Sequence, residues 1–158
     1  MKWSINRSKA FQKCQRKWYF SEIVAQPKAK DGIRREAYFL KQLKSIYAWR
    51  GSIVDTVIHK LIAPNLLRHR TPDVAEVLDY AARLMKSQIN FAKEQKYRQL
   101  GVTKSNSGEN FCALYELEYD NKLDDESLRR AEGEALLSLK NLLGSELIAR
   151  IAKDGEQR

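Results

Sequence analysis

From Ser52 to Ala63 the apolar residues fall at Ile53, Val54, Val57, Ile58, Leu61 and Ile62, a stripe that only an α-helix makes continuous. Pro64 is expected to end it. Thr71-Pro72-Asp73 then supplies a cap, a proline for the first helical position and an acid for the first turn of a long helix reaching about Lys96. Its buried face is read as Val74, Val77, Leu78, Ala81, Met85, Ile89 and Ala92. Asp124 or Asp125 caps a further helix to Leu143, with Leu128, Ala131, Ala135, Leu139 and Leu142 inside and Gly144 as its stop. Ser145 and Glu146 open a last short helix to about Lys153.

The first fifty residues are less regular. Ser4 or Asn6 can cap a helix to about Lys13, and Trp18, Tyr19, Ile23 and Val24 recur at helical spacing in a second, short one. Gln26 to Gly32 reads as a loop. A helix from about Ile33 to Ile46 would bury Ala37, Leu40, Leu43 and Tyr47, turn Arg34, Arg35, Lys41 and Lys44 to solvent, and break at Trp49-Arg50-Gly51. Gly101 to Asn110 is polar and loop-like. Phe111 to Tyr119 fits a strand, because its apolar residues alternate, and equally a short helix through Phe111, Leu114 and Tyr115. These elements predict a mainly α fold, a helical bundle in one domain, with residues 1–50 as basic N-terminal helices and residues 51–158 as the bundle proper.

No run approaches the roughly 18 apolar residues of a membrane span, and the basic N-terminus has no apolar stretch behind it, so a cytoplasmic chain with no membrane partner is expected. Cys14 and Cys112 form neither a CxxC pair nor a framework, which predicts reduced thiols, with Cys14 as a small packed residue. Charge changes the picture more. Residues 1–50 hold 13 Lys and Arg against 3 acids, a net +10, whereas residues 51–158 hold 16 against 17, a net −1. Such a concentration attracts a polyanion. DNA is the expected partner, contacted at its phosphates by Arg7, Lys9, Lys13, Arg16, Lys17, Arg34 and Arg35, with Trp18, Tyr19 and Trp49 as candidates for base stacking.

Trp3-Ser4 followed by Phe11-Gln12-Lys13-Cys14-Gln15-Arg16-Lys17-Trp18-Tyr19-Phe20 resembles the opening of RecB-like nucleases of the PD-(D/E)XK superfamily. Gly51-Ser52-Ile53-Val54-Asp55 is similar to the G-x-x-V-H that follows in those proteins. Glu36 to Leu43 with Trp49-Arg50-Gly51 resembles the members found in phage-defence and mobile-element loci. The likeness covers roughly residues 3–62. It implies that this chain is the N-terminal helical part of a larger α/β nuclease whose catalytic sheet is absent here, so that it binds DNA without cutting it. The family's motif histidine falls on Asp55, with His59 one turn later. The resemblance therefore makes Asp55 and His59 candidate metal ligands, for Mg or Mn supplied with a complete nuclease core. The plainer reading of the same two residues is a helix-surface pair. Some relatives hold an iron–sulfur cluster through the equivalent of Cys14 and three later cysteines; only Cys112 remains, so no cluster is expected.

Pro72-Asp73 and Glu94-Gln95-Lys96 spell the superfamily's acidic signature. They lie at the two ends of one expected helix, roughly 30 Å apart at 1.5 Å per residue, too far to share a metal. Glu118 and Asp120, with Lys122, would share a face only in a strand, and no catalytic residue is assigned. Against the nucleic-acid reading stands a different class, a basic helical subunit that docks an acidic protein partner.

Overall fold

The computed structural model describes residues 4–30, 32–120 and 123–154. Nine α-helices are found among them: α1 Ile5–Lys13, α2 Gln15–Tyr19, α3 Gly32–Gln42, α4 Ile46–Val57, α5 Ala63–Leu67, α6 Val74–Lys93, α7 Lys104–Ser107, α8 Asp125–Leu143 and α9 Glu146–Asp154. Single π-helical turns extend α2 (Phe20–Val24) and join α4 to α5 (Ile58–Ile62). The described residues contain no strand, only an isolated parallel bridge between Lys44 and Leu114. The mainly α expectation holds, and none of the described helices is long and apolar enough to cross a membrane.

α4, α6 and α8 pack on one another as the central layer. Trp49, Ile53 and Val57 from α4 meet Val77, Ala81, Leu84, Met85, Ile89 and Ala92 from α6 and Leu128, Ala131, Ala135 and Leu139 from α8, with Ile148 of α9 at one end. Burial of this order drives folding. The polar side chain that enters it is satisfied: the Trp49 indole donates to Gln88 Oε1 at 2.8 Å, and Gln88 Nε2 donates to the Glu109 carbonyl at 2.5 Å. A smaller cluster of Tyr38, Phe39, Tyr97, Phe111 and Ala113 fastens α3 to the segment after α6.

Several boundaries differ from the sequence expectation. The helix that starts near residue 33 ends at Gln42, and α4 runs unbroken through Trp49-Arg50-Gly51. Ser45 caps α4, its hydroxyl accepting from the Ala48 amide at 3.3 Å, while the Ile46 amide donates to Glu116 Oε1 at 2.9 Å. The break between α3 and α4 is pinned by the Lys44 backbone, which donates to the Ala113 carbonyl at 3.1 Å and accepts from the Tyr115 amide at 3.0 Å. Leu40 and Tyr47, expected inside, are exposed. Pro64 does not end the apolar helix either. The amide of Ala63 reaches back five residues to the Ile58 carbonyl, widening the turn ahead of the proline, and Pro64 then sits in the first turn of α5 where no N–H is needed.

Asp73, rather than Thr71, caps α6, its Oδ1 accepting from the amides of Ala75 and Glu76 at 2.7 and 3.1 Å, and Val74 is exposed. The helix stops at Lys93 because Gln95 turns left-handed, with φ of 48°. The ambiguous 111–119 stretch is extended at first, bridges Lys44 at Leu114, and then coils into a π turn at Glu116–Asp120. α7 and a short 3-10 turn occupy part of the expected polar loop.

Candidate nucleic-acid interface

α1, α2 and the π turn after it lie on the outside of this core. None of their residues is fully buried. α1 packs on α2, and the π turn packs on α3. The corner between α1 and α2 is made by Cys14, whose extended backbone breaks the helix while its sulfur accepts from the Lys17 amide at 3.4 Å. Cys14 is thus an exposed capping residue, not a packed one. Phe11 meets Trp18 edge-on at 5.2 Å between ring centroids and half-buries it. Glu22 ties the arm down: its carboxylate pairs with Arg7 at 2.8 Å and with Lys41 of α3 at 3.1 Å. The Lys41 hydrogen bond, with the Lys41 and then the Arg7 charge, outweighs partial burial and holds the Glu22 carboxyl below its usual titration range.

The basic residues of the first fifty separate into two groups. Lys9 and Lys13 of α1 share a helix face by their spacing of four, and Arg16 and Lys17 follow immediately after the Cys14 corner; all four are exposed. Lys28, Lys30 and Arg34 are exposed on the connection into α3 and its first turn. The other group is structural. Arg35, expected at the phosphate-binding surface, is buried, and this corrects its assignment. Its guanidinium donates to the carbonyls of Pro27 at 2.5 Å and of Gln99 and Val102 at 2.8 Å each, and lies 4.6 Å over the Phe39 ring. It closes the Gln26–Gly32 connection onto the loop after α6, because three convergent carbonyls need a planar donor with several N–H groups. Lys44 donates to Ser52 Oγ at 3.0 Å, and burial pulls its ammonium below the usual lysine range. Arg50 is ion-paired with Glu134 of α8.

The aromatic candidates divide likewise. Trp49 is wholly inside the core, Trp18 is half-buried, and Tyr19 is exposed with Phe20 beside it, their rings edge-on at 5.9 Å.

Asp55 on α4 and His59 in the π turn are both exposed. The described residues contain no cluster of three or more His, Cys, Asp or Glu placed to hold a metal ion. Asp73 and Glu94 cap opposite ends of α6, so they do not meet. Glu118 is occupied: it accepts from the Tyr97 hydroxyl at 2.7 Å and from Arg98 Nε at 3.2 Å, and Arg98 also bonds Glu36 at 3.2 Å. The side chain of Asp120 and all of Lys122 lie outside the described residues. Sequence reasoning missed this Glu36–Arg98–Glu118–Tyr97 group because it joins three segments far apart in the chain, with only Tyr97 and Arg98 adjacent, on elements with no shared periodicity. The chain matches no family model, no curated protein and no solved structure.

Proposed function

We propose that this chain is a nucleic-acid-binding helical module that takes DNA along its N-terminal arm. One observation carries the reading: Lys9, Lys13, Arg16 and Lys17 stand exposed on two successive helices that contribute no fully buried residue. Cations that the fold does not consume remain for a ligand, and a phosphate backbone neutralises such a row without requiring any base contact. Arg7 on the same arm is held by its pair with Glu22, and Arg34 is exposed in the first turn of α3.

The likeness of Phe11–Phe20 and Gly51–Asp55 to RecB-like PD-(D/E)XK nucleases supports a further step, that the module guides DNA for a metal-dependent nuclease. Of the carboxylates that the likeness brings forward, Glu118 holds Arg98 and Asp73 caps α6. Asp55 and His59 would contribute at most a pair of metal ligands to such a nuclease's site.

Binding to mixed-sequence DNA measured across a salt series tests the proposal. Affinity is expected to fall steeply with salt. Replacing Lys9, Lys13, Arg16 and Lys17 together by alanine should reduce the log–log slope by about 3 to 4, at ~0.9 per lost phosphate contact. A wild-type chain that ignores DNA at low salt, or a slope unchanged in the quadruple variant, refutes it.

A further inference from the structure

Glu22 is the sole acid among the first thirty residues, which hold eight Lys and Arg. It sits in the π turn Phe20–Val24, and its two carboxylate oxygens meet cations from two different elements. Oε2 lies 2.8 Å from Arg7 Nε of α1, and Oε1 accepts from Lys41 Nζ of α3 at 3.1 Å. The Lys41 ammonium also donates to the Ser21 carbonyl at 2.8 Å. Arg7 and Lys41 keep 36 % and 40 % of their side-chain surface in solvent, so an anion from outside can reach both. Lys41 and Lys17 border the same groove beside α3, which puts this pair next to the exposed row of the arm.

We infer that Arg7 and Lys41 form a phosphate site spanning α1 and α3, which Glu22 occupies in the free chain and a backbone phosphate of DNA takes over on binding. A carboxylate and a phosphodiester each carry one negative charge and two free acceptor oxygens, so the second fits where the first is held. Exposed ion pairs of this kind are weak enough to be exchanged. Linkage favours the exchange: once Lys9, Lys13, Arg16 and Lys17 hold neighbouring phosphates, the next one meets Arg7 and Lys41 at high effective concentration, while Glu22 regains water. A pair that only fastened the arm would act in the opposite sense, since its loss would loosen the arm and weaken DNA binding. The inference deepens the nucleic-acid reading and takes its ligand from it.

The first probe is mixed-sequence duplex DNA, followed by fluorescence anisotropy at physiological ionic strength. Glu22→Gln, which keeps the shape of the side chain and removes its charge, should bind about three- to fivefold tighter, the scale of one or two exposed ion pairs. The gain should vanish when Lys41→Ala is added. Glu94→Gln, which removes the same charge and frees Lys96 from its 2.8 Å pair, should bind as the wild type does. The second probe, inorganic pyrophosphate, needs no DNA: in Glu22→Gln it should draw the Trp18 indole resonance back toward its wild-type position, and with Lys41→Ala added it should not. Unchanged or weaker DNA binding by Glu22→Gln, or a gain that survives Lys41→Ala or is matched by Glu94→Gln, overturns the inference and leaves the nucleic-acid reading standing. So does a pyrophosphate response that is absent or indifferent to Lys41. A chain that ignores DNA at low salt yet gives the Lys41-dependent pyrophosphate response keeps the phosphate site and sinks the nucleic-acid reading alone.

Discussion

Removing the Arg35 guanidinium would strip the carbonyls of Pro27, Gln99 and Val102 of a shared donor and leave the Phe39 face uncovered. Hydrogen bonds to a charged group contribute about 1.5–3 kcal/mol each to the penalty of leaving partners unmet, so Arg35→Met should lower urea-unfolding stability by at least about 2 kcal/mol. DNA affinity per folded molecule should stay unchanged, which separates its role from that of Lys17. Glu22 gives a pH dependence. Its folded-state pKa is depressed, so its contribution is fully present above the unfolded value of about 4.3 and is lost as pH falls through the lowered folded value. The Trp18 indole resonance should shift in that acid window as the arm loosens. Glu22→Gln should abolish that acid transition and show the loosened position already at neutral pH. The thiols differ too: Cys14 is exposed, whereas Cys112 is buried and its pKa is pushed up to about 12 by desolvation. A thiol reagent should titrate one cysteine in the folded protein and two after unfolding.

At the scale of elements, what the sequence made legible was what is encoded locally. α1 with its Ser4 cap, α8 with Asp124 and Gly144, and α9 each begin and end near signals a few residues apart. α6 was readable for the same reason, although the capping residue proved to be Asp73. The α3–α4 boundary was not, since the acid expected one turn inside a capped helix comes instead from Glu116 in a distant segment, and the break itself is held by the Lys44–Leu114 bridge. Pro64 misled for a related reason: a widened turn absorbs it, and nothing in the apolar stripe announces that turn. Gly51, which the family likeness singles out, sits inside α4 where an added Cβ would meet nothing within 4 Å. Gly51→Ala should therefore raise stability by about 0.5–1 kcal/mol in thermal or urea unfolding. Altered DNA binding in that variant would indicate a backbone approach by ligand at this glycine.

Over the whole molecule, the charge asymmetry was visible in the residue order, but its division into exposed and structural cations was not. Arg35 and Arg50 are spent on carbonyls and an acid from elements that lie far off in sequence, and Lys44 on the hydroxyl of Ser52 in α4. The surviving row belongs to the least embedded part of the chain. Amides of residues 5–24 should exchange with deuterium well before those of α4, α6 and α8, and DNA should slow them selectively. The bond from the Ile46 amide to Glu116, seventy residues downstream, bears on biosynthesis. On the ribosome the start of α4 emerges several seconds before Glu116 is made, at about 5–20 residues per second. Until then Ser45 guards that helix end by itself, and a nascent chain stalled in this interval would carry an α4 whose first turn is unfinished.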